Sequence, residues 1–122
     1  MAVPARSRPG KPRNRVVTFA GARGEVVGFL ALPSEAGRRR AAILVHEWWG
    51  LTKWVNDQTV KLATQGYVAF AVDLYQGKVA TDPSYARKLK RHLLQEHAIG
   101  DLKATFDYLA GRPDVDPKRI CA

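Results

Sequence analysis

Residues 41–51, AAILVHEWWGL, constrain this chain more than any other stretch. Ala41, Ala42, Ile43, Leu44 and Val45 form an apolar run too short for a membrane span and branched enough for a buried strand. The run then changes at once to His46, Glu47, Trp48, Trp49 and Gly50. A charged residue and two indoles directly after a buried strand, closed by glycine, mark the carboxyl end of a parallel strand. Open α/β sheets bind ligands at such ends.

The flanking segments predict the scaffold. Residues 15–20 (RVVTFA) and 25–32 (EVVGFLAL) are β-rich, and Gly21, Ala22, Arg23 and Gly24 between them predict a four-residue hairpin loop. Residues 52–65 predict a helix with Trp54, Val55, Leu62 and Ala63 near one face and Gly66 as its stop. Residues 67–72 (YVAFAV) predict a second buried strand, ending at the polar Asp73. Asp82 and Pro83 suit a helix start, cap then first turn, for a helix running to about Gln95. Residues 98–110 predict another helix, with Leu102, Thr105, Phe106 and Leu109 on its apolar face and Gly111 and Pro113 ending it. Residues 114–118 read as a turn, and residues 119–122 as the start of a further buried strand. The alternation of strands and helices predicts an α/β sheet with parallel crossovers. A central strand four residues long at a chain end leads us to expect a cut polypeptide.

Composition narrows the function classes. The 122 residues carry 46% hydrophobic and 25% charged residues, a globular composition for one small domain. No apolar run approaches transmembrane length and the N-terminus has no apolar leader segment, so neither a membrane partner nor secretion is expected. The single cysteine, Cys121, precludes an internal disulfide and fits a reducing cytoplasm, the location expected here. More than half of the +9 net charge lies before residue 16, on Arg6, Arg8, Lys11, Arg13 and Arg15. Residues 1–13, with Pro4, Pro9, Gly10 and Pro12, read as a disordered basic arm. Without interleaved aromatics, helix-turn-helix pattern or zinc spacing, specific nucleic-acid binding is not expected, although a basic module remains a rival reading.

Few residues are placed for chemistry. His46-Glu47 begins like a zinc-binding H-E-x-x-H helix, but position 50 is glycine and the motif follows a strand, so no metal is expected. His92 and His97 are five apart and read as surface residues. There is no G-x-S-x-G or G-x-C-x-G elbow and no phosphate loop, and Cys121 reads as a small buried strand residue. Glu47 remains: flanked by two indoles, it is expected to be partly desolvated and so more basic, or else paired with an arginine.

VHEWWGL, then LATQGYVAFAVDLYQGK, then GDLKATFDYLAGRPDVDPKRI resemble the N-terminal half of the dienelactone hydrolase family, carboxymethylenebutenolidase-like α/β-hydrolases, over about residues 15 to 122. The resemblance implies an incomplete α/β-hydrolase domain over residues 14–122 and a Cys–Asp–His triad acting on small-molecule lactones or esters, without a cofactor. It implies that Glu47 activates the nucleophilic cysteine and that the Trp48 backbone N–H serves the oxyanion hole. Trp49 would line the substrate pocket, and Arg87 or Arg91 would hold a substrate carboxylate. The family's G-x-C-x-G elbow falls just past Ala122, with the aspartate and histidine later. The fragment alone is therefore expected to be inactive, its missing partner being the C-terminal half of the same domain. The alternative is a non-catalytic remnant that binds a partner through its basic arm and the edge of the strand containing Ile120.

Overall fold

The computed structural model describes residues 11–122. The chain runs β1 (Arg13–Gly21), β2 (Gly24–Leu32), β3 (Arg39–Val45), α1 (Lys53–Thr64), β4 (Val68–Asp73), α2 (Pro83–His92), α3 (Gln95–Ala110) and β5 (Val115–Cys121). The five strands form one mixed sheet in the order β1-β2-β4-β3-β5. β1, β2 and β4 pair antiparallel in succession, whereas β4, β3 and β5 run parallel. The α/β class with parallel crossovers is thus found. The disordered arm expected over residues 1–13 lies, up to residue 10, outside the described residues, and Arg13 already belongs to β1.

β4 is the centre. All six of its residues, VAFAVD, are buried, which is why it reads as a continuous apolar run without alternation. Period two still divides its faces. Val68, Phe70 and Val72 join Val26, Leu30, Ile43, Leu109 and Val115 in the main core, on the side covered by α3. Ala69 and Ala71 point to the opposite face, and their small side chains let α1 lie close to the sheet. α1 is capped by the Thr52 hydroxyl, which accepts from the Val55 N–H, and it buries Val55, Thr59 and Ala63, one turn apart. Trp54, expected on that face, is 63% exposed. Phe106 of α3 is likewise exposed, and Asp101, Thr105 and Leu109 make the buried stripe instead.

Three boundaries differ from expectation. Gly21 pairs with Gly24, so the hairpin loop has two residues, Ala22 and Arg23, rather than four. α2 stops at His92 and α3 starts at Gln95, with Leu93 and Leu94 extended between them. No glycine or proline marks that break. Leu93 touches both the main core and the smaller cluster around Tyr75, Ala80, Ala86 and Leu89, so tertiary packing sets it. Residues 115–118 of the expected turn lie within β5 instead, across a register irregularity between the Arg39 and Ala41 pairings. There Pro117 has no N–H to offer a ladder, and the Lys118 N–H donates to the Asp116 carboxylate at 3.1 Å. Cys121 is exposed on β5 rather than buried, because among the described residues β5 pairs only with β3.

A Cβ on Gly28 would meet the Phe70 ring and stand 2.6 Å from the Ala71 carbonyl oxygen, so Gly28→Ala is expected to cost about 2 kcal/mol of stability in urea unfolding. The link from α3 to β5 is clamped by Arg112, whose Nε and Nη2 donate to the two Asp114 carboxylate oxygens at 2.8 and 2.9 Å. Those hydrogen bonds hold the Asp114 carboxyl below its ordinary range. A carboxylate depressed in the folded state adds stability above its unfolded pKa and loses it as pH falls through its folded value. Asp114→Asn is therefore expected to cost about 1 kcal/mol at pH 7, with the difference from the native chain shrinking as acid carries the pH down through the lowered folded value.

Candidate active site

The parallel register places two strand ends side by side. Val45 pairs with Val72, so the loop starting at His46 and the strand end at Asp73 lie at the same edge of the sheet as neighbours. His46 and Asp73 are both buried. The Leu74 N–H donates to His46 Nε2 at 3.0 Å, which leaves Nδ1 as the protonated nitrogen, and Nδ1 donates to the Glu47 carbonyl at 2.7 Å. The Tyr75 ring packs against the imidazole with centroids 4.7 Å apart, and burial raises the pKa of the Tyr75 phenol.

The Asp73 carboxylate organises its own loop. It accepts the Tyr75 N–H at 3.0 Å and the Gly77 N–H at 2.8 Å. The loop then reverses through Tyr75, Gln76, Gly77 and Lys78, closed by the Lys78 N–H on the Tyr75 carbonyl at 3.2 Å. Gln76 at φ 53 and Gly77 at φ 90 give this turn the two positive central angles of type I′.

The other loop turns at Glu47, Trp48, Trp49 and Gly50, closed by the Gly50 N–H on the Glu47 carbonyl at 3.1 Å. The Ala80 N–H donates to the Trp49 carbonyl at 2.8 Å, a second tie between the loops. Gly50 lies at φ 98, where a Cβ would stand 2.6 Å from the Lys78 carbonyl oxygen. The closing glycine is thus required both by its angle and by the loop against it.

The indoles of Trp48 and Trp49, 5.2 Å apart at 55°, are half-buried against Tyr75, Ala80, Ala86 and Leu89. The Glu47 side chain is exposed, so the desolvation expected for it is not found, and among the described residues no ion pair involves it. The turn carries the carboxylate outward while burying the indoles. Arg87 and Arg91 are exposed on α2, where they line a depression of about 720 Å³ with Asp82, Ser84, Tyr85, Lys88 and His92. Glu47, Trp48 and Trp49 do not line it. Among the described residues no group of three His, Cys, Asp or Glu side chains could hold a metal ion, and no helix is long and apolar enough to cross a membrane.

Three contributors escaped the sequence reading. In the sequence His46 has the place of a metal ligand, and Asp73 that of a polar strand end. Arg23, in the hairpin turn, forms an ion pair with the buried Asp101 of α3 at 2.7 Å and donates to the Leu74 carbonyl at 3.3 Å. Asp73 followed by Tyr75-Gln76-Gly77 carried a usable signal, a carboxylate before a turn. Nothing in the sequence joins Arg23 to Asp101, which are 78 residues apart. Gly50→Ala is expected to separate the two loops and lower stability by about 2 to 4 kcal/mol, with loss of near-ultraviolet circular dichroism from the indoles as the check.

Comparison with known proteins agrees with this architecture. The family model for the dienelactone hydrolase family matches residues 26–122. A Synechocystis protein named "Putative carboxymethylenebutenolidase" is 28% identical over 116 residues, which cover 88% of this chain and 47% of that protein. Protein usf of Aquifex pyrophilus is 32% identical over 102 residues, covering 79% of this chain and 43% of the relative. The solved structure named m3DLH superposes with a TM-score of 0.78 at 25% identity, covering 91% of this chain and 48% of that one. The chain spans about half the length of these relatives. Sequence and fold together show that the chain belongs to the dienelactone hydrolase family, with the α/β-hydrolase fold.

Proposed function

We propose that this region supplies the activating carboxylate and one oxyanion-hole donor of an enzyme that hydrolyses small-molecule esters or lactones. The observation that carries the reading is the Glu47–Gly50 turn at the carboxyl edge of β3, beside the exit of β5. β5 runs parallel to β3 with Cys121 opposite Ala42, so three further strand residues would come level with Val45. A nucleophile elbow following β5, as the family order implies, would emerge next to Glu47 and Trp48.

The roles follow from that placement. A cysteine in the elbow attacks the substrate carbonyl carbon as a thiolate, and the carbonyl electron pair moves to oxygen. Glu47 accepts the thiol proton as the nucleophile forms. The Trp48 N–H donates to the oxyanion, a contribution of several kcal/mol where donors are fixed in advance. Collapse expels the alcohol or ring oxygen, and water then cleaves the thioester. Trp49 forms a pocket wall, and Arg87 or Arg91 is the cation assigned to a substrate carboxylate. Cys121 takes no part, so an acyl group trapped on Cys121 by an ester substrate contradicts the reading.

The experiment is to read the coding DNA past Ala122 and assay its product on p-nitrophenyl acetate. A G-x-C-x-G elbow within the first several codons is expected, with Glu47→Gln lowering kcat by about 100-fold. An uninterrupted elbow with undiminished Glu47→Gln turnover removes Glu47 from the mechanism. A stop codon directly after Ala122 removes the enzyme.

A further inference from the structure

The Glu47 carbonyl and the Trp48 N–H belong to one peptide unit. A trans, planar peptide points its C=O and N–H in opposite directions, so whatever fixes the Glu47 carbonyl aims the Trp48 N–H. That carbonyl accepts two hydrogen bonds, from His46 Nδ1 at 2.7 Å and from the Gly50 N–H at 3.1 Å. Among the described residues the Trp48 N–H meets no acceptor.

The imidazole that supplies the shorter bond is itself held. His46 is 8% exposed, and its Nε2 accepts the Leu74 N–H at 3.0 Å. Leu74 is anchored from its other side, because its carbonyl accepts Arg23 Nη2 at 3.3 Å. That guanidinium is fixed by Asp101, at 2.7 Å from Nη2 and 3.4 Å from Nε, with Asp101 3% exposed. Tyr75 packs on the imidazole, so rotation of the ring is blocked. A backbone N–H can only donate and a carbonyl can only accept. One neutral tautomer, with hydrogen on Nδ1, therefore satisfies both contacts, and the other breaks both.

We propose that His46 is the positioning residue that locks the Glu47–Trp48 peptide with its N–H outward, and that the Arg23–Asp101 pair anchors it through Leu74. The proposal rests on the reading of the Trp48 N–H as an oxyanion-hole donor. Flipping this peptide would turn the carbonyl to where the oxyanion forms and strand the buried Nδ1–H. The lock makes the donor preformed, so no reorganisation accompanies the charge as it develops.

Two variants separate the imidazole's halves. The side-chain amide of His46→Asn falls where Nδ1 was and keeps a donor for Glu47. That of His46→Gln reaches where Nε2 was and keeps only the contact to Leu74. Long-range proton–nitrogen NMR of the native protein is expected to show hydrogen on Nδ1 and a bare Nε2. In His46→Gln the Trp48 and Gly50 amide signals are expected to broaden or double, while His46→Asn keeps single signals. With the nucleophile present, His46→Gln is expected to lower kcat about 100-fold with KM within about two-fold, and His46→Asn to retain most of kcat. A merely structural histidine would make the two variants equally impaired, and that outcome overturns the proposal. Hydrogen on Nε2 in the native protein overturns it too, and that spectrum needs no variant to fold. The NMR signals do not depend on turnover, so failure of the lock appears there, whereas failure of the hydrolase reading appears in the Glu47→Gln kinetics.

Discussion

The hydrogen bond from the Leu74 N–H to His46 Nε2 joins two loops that the sheet has already brought side by side. Everything at this edge hangs on it. On one side it holds the imidazole that grips the Glu47 carbonyl, and on the other it holds the loop whose turn packs against Gly50. It exists only because β3 and β4 are parallel neighbours in a register that ends both at the same level. That register depends in turn on β4 being buried on both faces, with bulky side chains toward α3 and alanines toward α1. The chemistry of the loops is thus inherited from the packing of one strand.

The scaffold was largely legible in the sequence because its strongest signals are local. Branched apolar runs marked β3 and β4, Gly66 stopped α1, and Asp82-Pro83 opened α2 as a cap and first-turn pair. The break between α2 and α3 was missed because it depends on contacts distant in the chain. Leu93 breaks the helical region because two apolar clusters claim it, not because of its propensity. Trp54 and Phe106 are exposed because periodicity gives an apolar stripe's spacing and not its angle toward the sheet.

The site was legible as residue types and not as geometry. The sequence pointed to residues 46–50, and the turn there carries Glu47 and two packed indoles at a strand end. It did not show that Glu47 is exposed, because flanking tryptophans desolvate a carboxylate only if the turn folds them over it. Here the turn directs the indoles down onto α2 and the carboxylate away. Nor could it show that His46, placed like the first ligand of a metal motif, spends both nitrogens on backbone groups.

The chain belongs to the dienelactone hydrolase family, and the proposed chemistry rests on the edge where the parallel strands β3 and β4 end side by side. The most direct measurement is an experimental structure of the hydrolase carrying this region with its nucleophile, covalently trapped by a carbonyl or phosphonyl inhibitor. The inhibitor's oxyanion is expected about 2.7 to 3.1 Å from the Trp48 nitrogen, with the Glu47 carbonyl still on His46. An oxyanion bound elsewhere, or the Glu47–Trp48 peptide turned with its carbonyl toward the inhibitor, would contradict it.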